Sequence, residues 1–420
     1  MSEQSMKDVV IVGGGVIGLS VAYYCAQRGY RVTVIERQPQ LRDGCSFGNA
    51  GMIVPSHFIP LAAPGMVALG LKWMWNPESP FYVKPRLSWD LLDWGWKFWQ
   101  AGTAKKVAAA APILRDLNLA SRACYEELAS SGIDCGLQRK GLLMLCKTAH
   151  ALHEEAATAE QAKKLGVPAE VLDASATARL DPNVTMDIEG SVYFPLDCHL
   201  QPELYVKGLE QSIAERGGKL LWNTNVNRWR IENGQLKAIE TTAGEIRGDI
   251  FVLCAGAWSP ETAKQLDLRI PMQAGKGYSL TLPNPRQLPS ICSIFVEARM
   301  AITPMGQSLR FGGTMELSGV NEKIDPRRVQ GIIKSVPKYY PAFQTSDFDG
   351  IAPWRGLRPC SPDGLPYLGR TKRYDNLVVA TGHAMMGLSL APITGRLTSE
   401  IIAGEKPSID LTLLSPDRYN

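Results

Sequence analysis

The chain has no run of eighteen or more apolar residues, so no membrane-spanning helix is expected. Its nine cysteines form no CxxC pair and are odd in number. That excludes a disulfide framework and a thiolate zinc site, and points to reduced, intracellular thiols. Histidine is scarce, with five residues. His150 and His153 share a helix face without a cysteine at ligand spacing and are read as a solvated face, so no metal is expected. Charge is nearly balanced: 45 Lys and Arg against 41 Asp and Glu leave +4, too little over 420 residues to suggest a nucleic-acid partner. The first apolar run, residues 9–12, lacks the basic flank and cleavage site of a secretory signal. There is no repeat and no low-complexity tract. What remains is 45% apolar and 20% charged, ordinary for a globular protein and too long for one simple core, so two domains are expected.

What the chain does have is concentrated at its start. Val9-Val10-Ile11-Val12 runs into Gly13-Gly14-Gly15-Val16-Ile17-Gly18, then a helix-compatible stretch to Gly29, then Val32-Thr33-Val34-Ile35 and Glu36. Strand, Gly-rich turn, helix, strand and acid are the βαβ unit that binds dinucleotides. Gly13 permits the tight turn, Gly15 lets the backbone approach a pyrophosphate, and Gly18 lets helix and strand pack closely. The helix N-terminus offers free N–H groups to phosphate. Glu36 can accept hydrogen bonds from an adenosine ribose and would repel a 2′-phosphate, which disfavours NADP.

Residues 104–130, 151–165 and 202–216 carry a helical period. Lys219 to Trp222 and Val226 to Ile231 look like strands, with a turn at Glu232-Asn233-Gly234. Residues 278–316 are strand-rich with Pro and Gly turns, as in an antiparallel sheet. Trp73, Trp75, Trp89, Trp94, Trp96 and Trp99 are interleaved with Lys72, Lys84, Arg86 and Lys97. That mixture suits a membrane interface and equally a helical layer packed on the protein; packing is the preferred reading.

Two later segments suggest a cofactor longer than a nicotinamide dinucleotide requires. Asp249 to Ser259 is a strand ending in small residues, which leave room for a cofactor. Gly356-Leu357-Arg358-Pro359, Pro362-Asp363-Gly364 and Leu377 to His383, followed by Gly387-Leu388-Ser389, form a second strand that opens into a Gly turn and a helix. At these residues, together with Gly48-Asn49-Ala50-Gly51, Ala62-Ala63-Pro64-Gly65, Leu71-Lys72-Trp73-Met74 and Lys276-Gly277-Tyr278-Ser279-Leu280, the chain resembles the FAD-dependent amine and amino-acid oxidoreductases of the D-amino-acid oxidase type. Glycine oxidase and sarcosine oxidase belong to this group, and the likeness is greatest to its bacterial D-amino acid dehydrogenases. It runs from about Lys7 to about Tyr419.

The resemblance implies an α/β FAD-binding Rossmann-like domain built from residues 1–65, 199–268 and 352–420. It also implies an α+β substrate domain with an antiparallel sheet from residues 66–198 and 269–351. Arg358 would pair with the substrate carboxylate, for which a planar guanidinium is suited, and the hydroxyl of Tyr278 could reach the same group. For FAD, the resemblance points to Gly13, Gly15, Val16, Ile17, Gly18, Glu36 and Arg37 at the ADP half. Ser46, Asn49, Ala50, Gly51 and Met52 would lie along the pyrophosphate and flavin. Val226 would meet adenine, and Gly256, Gly382, Gly387, Leu388 and Ser389 the flavin edge. The implied reaction is hydride transfer from the Cα of a D-amino acid to flavin N5, giving an imino acid and then a 2-oxo acid, with electrons passed to a quinone or other carrier. His57 and His383 could help to deprotonate the amine, or be structural histidines.

Cys45, Phe47 and His57 depart from the family pattern. Cys360 is read as a buried free cysteine rather than a thioether to the flavin. A dehydrogenase for D-proline or 4-hydroxy-D-proline, or an oxidase using O₂, is an alternative within the same chemistry. A nicotinamide-dependent reductase or a non-catalytic nucleotide-binding protein is an alternative of another class. The expected location is cytoplasmic, with peripheral contact at the inner face of the membrane if the tryptophans meet lipid.

Overall fold

The computed structural model describes residues 7–73, 78–86 and 88–420. Met74 and Trp75 of the Trp-rich stretch lie outside these residues. The opening βαβ unit forms as its pattern dictates: strand β1 (Asp8–Val12), helix α1 (Val16–Gln27) and strand β2 (Arg31–Ile35). The two strands pair in parallel, and β1 takes Ile250–Leu253 as its other parallel neighbour. The full sheet has six strands, in the order Tyr367–Arg370, Leu377–Thr381, Ile250–Leu253, β1, β2 and Lys219–Leu221. Only the Tyr367–Arg370 edge runs antiparallel. The chain leaves β1 toward β2 on one side and returns much later to the other. A crevice therefore opens at the carboxyl ends of β1 and Ile250–Leu253, the switch point where α/β sheets bind ligands.

Helix α1 is buried over most of its length because it is covered by two other helices, Pro202–Glu215 and Ala391–Ala403. Gly395 makes the second contact possible: a Cβ there would come within 2.5 Å of the Ser20 carbonyl oxygen. The long helix Ala104–Ser130 packs on the outside of Ala391–Ala403.

The second large sheet runs Trp354–Cys360, Gln273–Leu282, Ser308–Leu317, Met300–Met305, Cys292–Phe295, Leu142–Cys146, Gly190–Phe194 and Glu170–Asp173, with Phe81–Val83 added beside Ser308–Leu317. It is not purely antiparallel. Cys292–Phe295 pairs in parallel with Leu142–Cys146, because these strands come from distant stretches of chain and no hairpin fixes their relative direction. The helix Pro326–Tyr339 covers one face. A small sheet of Val226–Glu232, Gln235–Thr241 and Gly244–Arg247 begins with a hairpin at Asn233-Gly234, where φ is 50° and 74°. Both residues of that turn are left-handed, as its hairpin geometry demands.

The helix Trp89–Ala101 is capped by Ser88, whose side chain accepts from Leu91 N. Its two faces differ. Trp94 is buried, donates from Nε1 to the Cys360 carbonyl at 2.9 Å, and stacks on Phe98 at 4.9 Å. Trp89, Leu92, Trp96 and Trp99 fall on the other face and are 87, 59, 58 and 58% exposed. The packed-layer reading holds for the first set and fails for the second.

Candidate active site

The space around the Gly-rich turn divides its three glycines by function. A Cβ on Gly13 (φ +111°) would lie 2.3 Å from the Cys254 carbonyl oxygen, and one on Gly18 would lie 1.9 Å from the Gly13 carbonyl oxygen. Both are needed for the turn to close on the neighbouring strand and helix. A Cβ on Gly15 would meet nothing nearer than Ser46 Oγ at 3.5 Å, so Gly15 faces the crevice. Ser46 Oγ accepts from Val16 N at 2.9 Å, at the start of α1. Glu36 spends part of its carboxylate on the turn itself: Oε2 accepts from Gly14 N at 2.7 Å and Oε1 from Gln38 N at 2.8 Å. Each oxygen keeps a further lone pair for a ribose hydroxyl.

One cleft runs along this crevice. Gly13, Gly15, Val16, Ile17, Glu36 and Arg37 line its first part, with Ser46, Asn49 and Val226 beyond them. Gly256, Arg358, His383, Gly387 and Leu388 line the rest. Gly18, Ala50, Gly51, Met52, Gly382 and Ser389 stand behind the lining. Met52 pairs with His199 in a two-residue ladder. Gly51 N donates to Asn49 Oδ1 at 2.9 Å. A Cβ on Gly382 would meet the Tyr367 ring at 2.8 Å. Ser389 Oγ accepts from Val54 N at 3.1 Å and donates to Asn118 Oδ1 at 2.7 Å.

Arg358 sits where two strands pair. Its strand runs antiparallel to Gln273–Leu282, and a Cβ on Gly277 would come within 2.2–2.5 Å of the guanidinium. The bare backbone of Gly277 is therefore the bed on which Arg358 lies. Nη1 donates to the Thr314 carbonyl at 2.7 Å; among the described residues the rest of the fork has no protein partner. Tyr278 points to the opposite face of that sheet, as strand alternation requires. It is buried among Phe311 and Ile332, donates to Glu316 Oε2 at 2.8 Å and accepts from Asp325 N at 3.2 Å. The structure thus does not bring Tyr278 and Arg358 together.

The two candidate histidines differ. His383 is buried in the cleft wall, with Nε2 at 3.0 Å from Thr394 Oγ1 and, among the described residues, no partner for Nδ1; burial holds its imidazole down near 3. His57 is outside the lining, in a turn behind Met52, with Nδ1 at 2.9 Å from Ser56 Oγ; burial holds it down near 4. Cys360 is fully buried, its thiol pushed up to about 12, and it is not part of the lining.

Three residues that the sequence reading passed over shape the site. Arg42 donates to the Gly14 carbonyl at 2.7 Å and to Glu210 Oε1 at 2.8 Å, bringing a buried positive charge to the phosphate end. Trp258 lies beneath Arg37, whose guanidinium carbon is 3.7 Å from the ring centroid. Arg310 donates to the carbonyls of Phe47 and Asn49 at 3.0 and 2.8 Å and ties the 47–49 loop to the large sheet. Arg42 lies outside the patterned segments, while Trp258 and Arg310 lie inside the stretches read as Asp249–Ser259 and the strand-rich 278–316, where no local signal marks either side chain as facing the cofactor crevice.

The residues fit an extended dinucleotide cofactor on their own geometry. The opening beside Gly15, a Gly256 at φ +55° with nothing within 4 Å of a Cβ, and the unpartnered Nδ1 of His383 all lie along one cleft.

A model of the FAD dependent oxidoreductase family matches residues 8–401, and the chain belongs to that family. D-amino acid dehydrogenase of Granulibacter bethesdensis is 32% identical over 419 residues, covering 98% of this chain and 99% of that one. The protein of the same name from Agrobacterium fabrum is 32% identical over 420 residues, with the same coverage. Among solved structures, glycine oxidase from Geobacillus kaustophilus matches with a TM-score of 0.78 at 24% identity over 99% of both chains. L-proline dehydrogenase from P. horikoshii matches at 0.75 and 18% identity, over 98% of this chain and 97% of that one. These two likenesses are of fold. FAD is the cofactor, and the chain is an FAD-dependent oxidoreductase.

Proposed function

We propose that the protein oxidises the Cα–N bond of D-amino acids to imino acids, which hydrolyse to 2-oxo acids, and passes the electrons to a quinone or other carrier. The observation that carries this reading is the half-free guanidinium of Arg358 in the cleft, flat on Gly277 and held at one corner by Thr314. That fork offers two parallel N–H donors, the arrangement a carboxylate takes. The names of the full-length relatives support amino acids of the D series. FAD, when bound, supplies the two-electron acceptor. It is held by the part of the chain made of residues 1–65, 199–268 and 352–420, with the substrate covered by 66–198 and 269–351. Gly13, Gly15, Val16, Ile17, Glu36 and Arg37 hold its ADP half, with Arg42 beside the phosphates and Val226 beside adenine. Ser46, Asn49, Gly256, His383, Gly387 and Leu388 hold the remainder. Arg358 binds and orients the substrate carboxylate, and the covering sheet excludes water.

No helix among the described residues is long and apolar enough to cross a membrane. The exposed Trp89, Trp96 and Trp99 support peripheral contact with the inner face of the cytoplasmic membrane, where a quinone would be met.

Anaerobic bleaching of the yellow protein by a panel of D- and L-amino acids, including D-proline and 4-hydroxy-D-proline, tests the reading. Bleaching by D-forms alone is expected, without hydrogen peroxide release in air. Bleaching by L-forms alone, or by none, overturns it.

A further inference from the structure

One face of the strand Gln273–Leu282 carries a row of three contacts. Gly277 is the bed of Arg358, Ser279 Oγ donates to the Gly48 carbonyl at 3.2 Å, and Thr281 Oγ1 accepts from Arg310 Nε at 3.0 Å. Residues two apart fall on the same side of a strand. The loop through Phe47 and Asn49, both of which line the cleft, therefore lies on the face of the sheet that also holds Arg358. Arg310 completes the grip, with Nη1 donating to the Phe47 and Asn49 carbonyls at 3.0 and 2.8 Å. The strand of Arg358 supports the same loop: a Cβ on Gly48 would come within 2.1 Å of the Trp354 ring. Three successive carbonyls, those of residues 47, 48 and 49, are thus turned toward the sheet.

A trans peptide is planar, with its N–H opposite its C=O. Since Arg310 holds the Phe47 and Asn49 carbonyls, the N–H groups of Gly48 and Ala50 point away from it. Among the described residues neither has an acceptor. Backbone N–H groups turned together in a bend favour negative charge. Behind them stands the charge of Arg310 itself. Arg310 is 8% exposed, and the carboxylate opposite it, Glu203, is 3.8 Å away on a side chain that is 60% exposed. The two loop carbonyls supply dipoles but no neutralising charge. A cation that is buried and loosely paired acts over a longer range than one in water.

Resting on the reading of the site given above, we infer that Arg310 is a positioning residue that biases the cleft toward the reduced cofactor. It turns the Gly48 and Ala50 N–H groups away from the sheet, and its own charge favours the negative charge that enters the cleft. That charge arrives with the hydride, which leaves the substrate Cα with two electrons and one proton. Arg310 forms no bond to the reacting atoms; it acts through the 47–49 loop and through its field.

The test is the two-electron potential of the FAD-loaded protein, measured anaerobically against reference dyes, together with the dissociation constant for FAD. Arg310→Met should lower the ratio of reduced to oxidised cofactor three- to tenfold, a fall of about 15–30 mV, and weaken FAD binding. Arg310→Lys should bring the ratio back to within about twofold of the wild type, because the charge returns, while FAD binding stays weakened, because one ammonium does not reproduce the fork. Glu203→Gln removes the opposing charge at an exposed site and should raise the ratio about twofold without loss of FAD; it decides the case if Arg310→Met does not retain FAD. A wild-type potential in Arg310→Met overturns the proposal, as does an unchanged or lowered potential in Glu203→Gln. Equal falls in Arg310→Met and Arg310→Lys overturn the role of the charge. Neither readout needs a substrate. The expected shifts in a protein that no amino acid bleaches uphold Arg310 and sink the functional reading instead.

Discussion

Arg358 is held by a strained neighbour: its Nη1 donates at 2.7 Å to the carbonyl of Thr314, a β-branched residue at φ 65°. Left-handed backbone is costly for such a residue, by about 1–3 kcal/mol, and persists where the surroundings over-determine it. Among the described residues the buried hydroxyl of Thr314 has no partner, so this residue is not placed for its side chain. Its turned carbonyl fixes one corner of the guanidinium and leaves the remaining donors facing the cleft. Arg358→Met should therefore keep FAD and lose substrate. The expected drop in kcat/KM is about 10²- to 10³-fold, in line with the loss of charge-assisted hydrogen bonds. It should appear mainly in KM and in the affinity for a simple carboxylate inhibitor read from the flavin spectrum. An unchanged KM would refute the role.

Gly277 gives an independent check on the same geometry. A methyl group there would stand 2.2–2.5 Å from three guanidinium atoms, all at the far end of a flexible side chain. Gly277→Ala should fold, because arginine can swing away, but the fork would leave its bed. KM for amino acids should rise at least tenfold while FAD binding and the flavin spectrum without substrate stay as they were. Loss of FAD instead would show that the sheet, and not Arg358, is what Gly277 serves.

The sequence announces the first βαβ unit because each of its parts is local: the turn, the helix start and the acid fall within 30 residues of chain. The Asn233-Gly234 hairpin was legible for the same reason. What was not legible depends on contacts between distant segments. The face on which Tyr278 lies follows from what covers the sheet, and the helix Pro326–Tyr339 that covers it is far along the chain. The motif Lys276-Gly277-Tyr278 drew attention to the tyrosine, whereas it is the glycine that touches Arg358. The parallel pairing of Cys292–Phe295 with Leu142–Cys146 leaves no trace in either strand's pattern. In the Trp-rich helix the composition was visible, but which rings were covered was decided by Cys360, more than 250 residues away.

Buried histidines set the acid limit of the fold. His199 and His383 are almost without accessible surface, and burial holds them near 4 and 3. Their folded values lie below the ordinary value near 6.5. The folded state therefore binds fewer protons than the unfolded one across that window, and stability falls as pH drops from about 6.5 toward 4. By pH 5 each costs about 2 kcal/mol. Asp197 runs the other way: burial pushes it up to about 7, so its contribution is full at low pH and is lost as pH rises through 7. The two effects offset each other in the wild type. Asp197→Asn removes the opposing one, and urea unfolding at pH 5, 6 and 7 should show a steeper acid loss in that variant. Equal slopes would mean that Asp197 is ionised at the same pH folded and unfolded.

The outer face of Trp89–Ala101 makes the remaining prediction. Trp96 and Trp99 lie with ring centroids 5.0 Å apart, and Val67, also exposed, lies across a shared hollow from Trp99. Lys105 and Lys106 are exposed at the start of the next helix. An aromatic stripe beside lysines gains from both apolar burial and attraction to anionic headgroups. The protein should co-sediment with vesicles containing phosphatidylserine or phosphatidylglycerol, more weakly with neutral vesicles, and less at high salt. Trp96→Ser with Trp99→Ser should abolish sedimentation and leave turnover with a soluble dye acceptor intact, since both rings point away from the cleft. Sedimentation that survives the double change would place the membrane contact elsewhere. No sedimentation of the wild type would turn this face over to a protein partner, and the electron acceptor would then have to be sought among soluble carriers.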